Sequence, residues 1–150
     1  MTAIRFMSIG RKLMNVYASL TAPLCRKYGI NQTSFDILLF CANNPAYNTA
    51  RDICEIRGIK SGIASVAVET LIRNGYLLRS TDPDDRRKHR LVPTEKAFDI
   101  IRDGQAAQAY FAETLKQSIT EEEAAAFVSL TAKLEANLTL FGKKGDSVCL

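Results

Sequence analysis

The chain has 150 residues, which suits one domain with helical extensions, and its 47% hydrophobic content argues against wholesale disorder. Its formal net charge of +4 suits an anionic partner without requiring one. No apolar run reaches the ~18 residues that a membrane-spanning helix needs, and the N-terminus lacks the continuous apolar segment of a secretory signal. We therefore expect a cytoplasmic protein with no membrane partner.

Helical periodicity begins near the N-terminus. Apolar residues at spacings of three and four predict a long first helix, which Pro23 should kink or break and Gly29 should end. Its apolar face holds Phe6, Ile9, Leu13, Val16, Leu20 and Leu24. Asn31 is a typical N-cap residue and predicts a second helix up to Asn43, with Phe35, Leu38 and Leu39 facing inward.

Two further helices follow at the spacing of a helix–turn–helix. Thr49 and Asp52 predict a capping box that opens a short third helix, with Ile53 and Ile56 inward and Gly58 at its end. A fourth helix is predicted from about Ser61 to Asn74. Its inward residues would be Ala64, Ala67, Val68 and Leu71.

A charged hairpin comes next. Gly75 ends the fourth helix, and the apolar segments Tyr76-Leu-Leu-Arg and Arg90-Leu-Val flank a turn that is first acidic and then basic. A short strand at Ala46-Tyr47 is expected to add a third strand. One common use of a cationic hairpin in a small protein is to grip the phosphate backbone of DNA.

Two long helices complete the chain. The first should start at Pro93-Thr94 and end at Ser118-Ile119, and Thr120 with Glu123 predicts a capping box for the last one. Residues 143–150 are expected to form a flexible tail. The predicted fold class is therefore mainly α (α+β), a winged helix–turn–helix with long N- and C-terminal helices.

Residues 53–97 resemble the MarR family of bacterial transcription regulators. The motif Asp82-Pro-Asp-Asp-Arg-Arg, followed by Leu91 and Thr94, is similar to the wing signature of that family, and Ile72-Arg-Asn-Gly-Tyr-Leu-Leu-Arg is similar to its first wing strand. The resemblance implies one domain over residues 1–142. Residues 31–94 would form the DNA-binding core, and residues 3–28 and 95–142 would form dimerisation helices.

The resemblance also implies which residues contact DNA. A homodimer would place two recognition helices in the major groove of a palindromic operator, about 34–36 Å apart. In the wing, Asp85 would orient Arg87 for the minor groove. The DNA-binding residues expected are Thr49, Lys60, Ser61, Gly62, Ile63, Ser65, Val66, Glu69, Asp85, Arg86, Arg87, Lys88 and His89. For the wing-tip run, an ordinary solvated charged turn is the competing interpretation.

Many members of the family bind small aromatic ligands between the dimer helices and the winged core. By that resemblance, a ligand pocket is expected to include Tyr17, Phe35, Phe40 and Tyr110, although simple core packing is an alternative interpretation for each. The expected function is repression of transcription that a small-molecule ligand relieves.

Alternatives within the same fold remain open. Cys25 has cationic neighbours and is a candidate redox-sensing thiol, which would make the chain a thiol-based sensor. A protein-interaction module that has lost DNA binding is a second alternative. The sequence contains no nucleotide-binding loop, no paired catalytic acids and no Cys/His arrangement, so we expect no enzyme activity, no cofactor and no metal site.

Overall fold

The computed structural model describes residues 3–81 and 88–145, and its contacts divide the chain into two compact units, residues 1–111 and 112–150. Within the described ranges, no helix is both long and apolar enough to cross a bilayer. The elements in chain order are α1 (Ala3–Tyr28), α2 (Gln32–Asn43), α3 (Ala50–Arg57), α4 (Ser61–Arg73), β1 (Leu77–Thr81), β2 (His89–Pro93), a 3₁₀ turn (Glu95–Ala97), α5 (Phe98–Lys116) and α6 (Glu121–Gly145). The predicted fold class is confirmed.

Helix α1 runs without interruption through Pro23, so of the two predicted outcomes, a kink or a break, the break is wrong. A proline removes one backbone donor from a helix, but the preceding turn is held by Thr21, which is fully buried. The Thr21 hydroxyl lies 3.0 Å from the Tyr17 carbonyl oxygen and 3.0 Å from Oε1 of Gln32. This packing against the start of α2 stabilises the helix around the proline.

Helix α2 lies at the centre of the core. The predicted N-cap is confirmed, because the Asn31 side chain accepts a hydrogen bond from the Ser34 backbone N–H at 2.8 Å. The helix contacts α1, α4 and β2. Its buried residues are Ser34, Phe35, Ile37, Leu38, Leu39, Phe40 and Cys41.

Helix α3 begins with the predicted capping box. The Thr49 hydroxyl accepts from the Asp52 N–H, and the Asp52 carboxylate accepts from the Thr49 N–H. Ile53 is buried, but Ile56 is 58% exposed, so its predicted inward position is wrong. Although Ile56 lies three positions after Ile53, it is the penultimate residue of this eight-residue helix, and its side chain does not reach the core.

The hairpin of β1 and β2 is antiparallel, and its register pairs Leu77 with Pro93 and Arg79 with Leu91. The expected strand at Ala46-Tyr47 is wrong. Instead, a single bridge joins Thr49 to Arg90 beside the start of α3. Pro93 is the last residue of β2 rather than the first of a helix, and the 3₁₀ turn separates it from α5.

Helix α5 approaches α2 closely at a glycine. A Cβ atom at Gly104 would lie 2.7 and 2.8 Å from the two Cδ atoms of Leu39 and 3.0 Å from Cζ of Phe35. One residue earlier, the Asp103 carboxylate accepts hydrogen bonds from Lys27 Nζ at 2.7 Å and from the Tyr28 hydroxyl at 2.6 Å. These contacts anchor the end of α1 to α5.

In the second unit, Thr120 and Glu123 form the predicted capping box at the start of α6. The helix continues to Gly145, so three of the residues expected in a flexible tail (143–145) are helical. Residues 146–150 lie outside the described residues. The side chains described between residues 121 and 140 include no buried one.

Candidate nucleic-acid interface

Helix α4 has one small, buried face and one exposed face. Its inward residues are those predicted, namely Ala64, Ala67, Val68 and Leu71. Their small volumes allow α4 to lie against α2 and α3. The six residues predicted to contact bases are all exposed: Ser61, Gly62, Ile63, Ser65, Val66 and Glu69.

The exposed face of α4 is partly apolar. Ile63 is 53% and Val66 is 69% exposed, and the exposed residues Ser61 and Ser65 add hydroxyls to the same helix. Branched apolar side chains can contact thymine methyl groups in a major groove, and serine hydroxyls can bond to bases or phosphates. A Cβ atom at Gly62 would meet no atom within 4 Å, so a DNA strand could come close to the helix backbone at this residue.

The start of α4 is open to an anion. Gly58 adopts a left-handed conformation (φ 62°, ψ 28°) that turns the chain out of α3. Lys60 then precedes α4 with an extended backbone and makes no side-chain cap hydrogen bond. Unbonded N–H groups and the helix dipole favour negative charge at such an end, so Lys60 and the first turn of α4 suit a phosphate group.

Thr49 has a structural role in the fold. Its hydroxyl lies 2.6 Å from Asp52 Oδ2 and 3.2 Å from the Asp52 nitrogen, so both its donor and its acceptor are used in the cap. The bridge from Thr49 to Arg90 joins the start of α3 to the wing.

The base of the wing is cationic. Lys88 and His89 are exposed, as a DNA contact requires. Arg90 donates from Nη1 to the Pro45 carbonyl oxygen at 3.3 Å, which anchors β2 to the loop before α3. The three wing-tip residues Asp85, Arg86 and Arg87 lie outside the described residues.

A pair of charged residues links α4 to the wing, and sequence reasoning missed it. Arg79 in β1 donates a hydrogen bond to the Glu69 carboxylate. Arg79 also lines a cavity of about 790 Å³ between α3 and the hairpin, together with Arg51 and Lys88. The concave surface beside α4 thus contains several cationic side chains together with the carboxylates of Asp52 and Glu55.

The four predicted ligand residues do not lie together. Tyr17 and Phe40 line a cavity of about 110 Å³ between α1, α2 and α5, whereas Phe35 is fully buried in the core and Tyr110 is largely exposed. Sequence reasoning missed the polar residues of this cavity, Asp36, Asn43, Asn44, Arg57 and Gln108. A carboxylate between Phe35 and Ile37 in an apolar helix is the one signal that points to it.

Polar contacts order this cavity. Arg57 Nη2 lies 3.1 Å from Asp36 Oδ2, and Gln32 donates to the other Asp36 oxygen at 2.9 Å. Burial raises the pKa of Asp36, an effect that these two contacts partly oppose. Gln108 donates to the Tyr17 hydroxyl at 3.1 Å, so the cavity offers both donors and acceptors.

The candidate redox residue, Cys25, is connected to the same cavity through Gln32, which donates to Asp36. Burial, followed by the nearby Asp36 carboxylate, raises the pKa of the Cys25 thiol. Its Sγ donates to Gln32 Oε1 at 3.6 Å. Burial raises the pKa of Cys41 to about 12. Since the thiolate is the reactive form, these surroundings do not favour oxidation of either thiol.

The comparisons with known proteins agree with this architecture. A family model described as the MarR family matches residues 28–88. A MarR transcriptional regulator from Methanosarcina mazei Go1 is 22% identical, with a TM-score of 0.70 over 91% of this chain and 99% of that chain.

Two further solved structures show the same fold. The S. aureus MepR–DNA complex has a TM-score of 0.74 at 15% identity, over 92% of this chain and 96% of that chain. Bordetella bronchiseptica BpsR, described with a mechanism for regulation of its DNA binding by 6-hydroxynicotinic acid, has a TM-score of 0.64 at 16% identity, over 87% and 98% of the two chains.

Proposed function

We propose that the chain, whose residues 28–88 match the MarR family model, is a DNA-binding transcriptional regulator of that family, and that it acts as a homodimeric repressor that a small-molecule ligand releases from a palindromic operator. The observation that carries the proposal is the outward face of α4. Its small inward face fixes the helix on the core, while two large aliphatic side chains, Ile63 and Val66, stay exposed. Single exposed aliphatic side chains are common on protein surfaces. Two such side chains near the start of one helix suit contact with the major groove of DNA.

The homodimer is supported by apolar surface that the single chain leaves exposed. In α1, Phe6, Ile9 and Leu13 are exposed, and in the second unit the same is true of Phe127 and Leu138 in α6. Contiguous exposed apolar surface marks interaction surfaces. A second copy of the chain would cover them and would supply the second recognition helix that a palindrome needs.

The ligand response is supported by the cavity that Tyr17 and Phe40 line. Its volume of about 110 Å³ is smaller than the roughly 150 Å³ of an engineered cavity that holds benzene. An aromatic ligand would therefore have to move the side chains that surround it. Such a movement would disturb the Asp36–Arg57 contact between α2 and the end of α3, close to the turn that leads into α4.

DNA binding is tested by fluorescence anisotropy with duplexes from the region upstream of the gene, over a range of salt concentrations. We expect a salt-sensitive affinity, and we expect Arg87→Ala to reduce the slope of log K against log salt by about one. Arg26→Ala, which removes one exposed positive charge from α1, is the matched control and should leave the slope nearly unchanged. Absence of salt-sensitive affinity for any duplex would end the proposal.

Base readout is tested separately. Ser65 is exposed in the second turn of α4, so Ser65→Arg should change the preferred duplex sequence while the melting temperature stays close to that of the wild type. Selection of bound duplexes from a random pool measures the preference. An unchanged preference together with a lowered melting temperature would contradict the outward placement of this residue in the complex.

A further inference from the structure

The ion pair between Glu69 and Arg79 lies on the surface that DNA would contact. Glu69 follows Ser61 and Ser65 at intervals of four residues, so the three share the outward face of α4. The side chains of Glu69 and Arg79 are 56% and 47% exposed. Glu69 is the acidic residue of this face, and Oε1 of its carboxylate accepts a hydrogen bond from Arg79 of the wing.

Stability does not account for this pair. Exposed ion pairs contribute little to folding stability, and the connection from α4 to the wing is already fixed by other hydrogen bonds. The Tyr76 N–H donates to the Leu71 carbonyl at 2.9 Å, and the Thr94 hydroxyl donates to the Gly75 carbonyl at 2.6 Å. Gly75 supplies the positive φ of 75° that this turn requires.

The location of Arg79 suits a phosphate. Arg79 is two residues after the buried Leu77 on the same face of the hairpin, so its side chain points toward α4. A helix in a major groove and a wing in the neighbouring minor groove have one sugar–phosphate backbone between them. Arg79 lies between those two elements and lines the cavity that separates the hairpin from α3.

The charges of Glu69 and Arg79 explain why the two residues form a pair on a surface that would contact DNA. A carboxylate on the outward face of α4 repels the phosphates of an approaching duplex, and an arginine that is paired beforehand loses less side-chain entropy when it binds. We propose that Arg79 is a further contact to the DNA backbone and that Glu69 is a positioning residue that aims its guanidinium, rather than a reader of bases. This inference rests on the proposed function.

A double-mutant cycle tests the pairing. The wild type, Glu69→Gln, Arg79→Ala and the double variant are compared by anisotropy on one operator duplex at several salt concentrations. Arg79→Ala should weaken binding about tenfold and reduce the salt slope by about one. Glu69→Gln should weaken binding about threefold when Arg79 is present and strengthen it about threefold when residue 79 is alanine, because the acid is then unpaired.

Matched controls come from another exposed ion pair, Lys116–Glu113 in α5, with an N–O distance of 3.0 Å. Lys116→Ala and Glu113→Gln make the same charge changes on a different helix, and their effects should be small and additive. Melting temperatures of the Glu69 and Arg79 variants should stay close to that of the wild type, so that altered affinity is not a loss of folded protein.

Three results would overturn the pairing. An increase in affinity from Glu69→Gln of equal size in both backgrounds would mean simple repulsion without positioning. A changed sequence preference in Glu69→Gln would mean base reading, and an unchanged salt slope in Arg79→Ala would remove the phosphate contact. If the wild type itself has no salt-sensitive affinity, the proposed function fails with the pairing; if the wild type binds and the cycle is additive, only the pairing fails.

Discussion

Helices α2 and α6 are both rich in apolar residues, but they occupy opposite environments. In α2, seven of the twelve residues are buried, among them Phe35 and Leu38. In α6, Phe127, Val128 and Leu138 are all exposed, and Leu138 reaches 70%. A periodic apolar pattern therefore specifies which face of a helix must be covered, but not whether the same chain covers it.

The polar residues of the two helices reflect this difference. Helix α2 contains Asp36, whose carboxylate forms an ion pair with Arg57 at the end of α3. Helix α6 begins with Glu121, Glu122 and Glu123, and its apolar residues are interleaved with threonine, lysine and asparagine. We infer that α2 stabilises the winged unit by itself, whereas α6 is stabilised through association with a second copy of the chain.

The largest expected effect tests α2. Phe35→Ala removes a fully buried ring that also contacts the position of Gly104, and such truncations cost about 3–5 kcal/mol. Chemical denaturation followed by circular dichroism measures the loss. Phe35→Leu, which leaves a smaller cavity, should lose less, and a loss of under 1 kcal/mol in Phe35→Ala would contradict the central position of this ring.

The second effect tests α6. If a second copy covers Leu138, then Leu138→Ala should cost about 1.5–3 kcal/mol per chain, since that is the contribution of burying a leucine. The melting temperature should then depend on protein concentration, and sedimentation should show more monomer. Leu78→Ala, at an exposed leucine of the wing, is the control, with an expected change within about 0.5 kcal/mol.

An uncovered α6 would give a different result. Leu138→Ala would then resemble Leu78→Ala, and the melting temperature would not change with protein concentration. That outcome would mean that no second copy of the chain stabilises α6, and it would remove the main support for the homodimer.

Local signals were the most reliable guide to the fold. The caps at Asn31, Thr49 and Thr120 were predicted because a cap depends on residues that are neighbours in sequence. The inward residues of α4 were predicted because the apolar period alone fixes a helix face. The same period gave the outward residues of the candidate site.

Features set by tertiary contacts were predicted poorly. Ile56 is exposed near the end of the short helix α3, and α1 continues through Pro23 next to Thr21, whose hydroxyl contacts Gln32 of α2. The pairs Asp36–Arg57 and Glu69–Arg79 join different elements. No spacing rule connects such residues, so the sequence did not reveal the polar cavity or the contact between α4 and the wing.

A third effect tests the close approach of α5 to α2. Gly104→Ala places a Cβ within 3.0 Å of Leu39 and Phe35 atoms. Overpacking costs about 1–3 kcal/mol, and the better helix propensity of alanine offsets about 1 kcal/mol of this, so we expect a net loss of about 1 kcal/mol. Gly10→Ala in α1, where a Cβ meets no atom within 4 Å, should instead gain stability. Equal gains at both positions would contradict the close contact.

An effect of similar size separates capping from DNA contact at Thr49. Because its hydroxyl is used by Asp52 in both directions, Thr49→Ala should cost about 1 kcal/mol of stability. DNA affinity should fall only as far as the folded fraction falls, since a hydroxyl that donates to Asp52 has no proton for a phosphate. Thr49→Ser keeps the cap and should restore both quantities.

Affinity measured well below the melting temperature distinguishes the two roles of Thr49. If Thr49→Ala binds the operator as tightly as the wild type under those conditions, the residue acts through the start of α3 and its bridge to Arg90. If affinity is lost while the protein is fully folded, Thr49 contacts DNA directly, and the hydroxyl must then leave Asp52 when the duplex binds. In that case the helix start that anchors the wing would rearrange on binding, and the affinity would include the loss of the cap, about 1 kcal/mol.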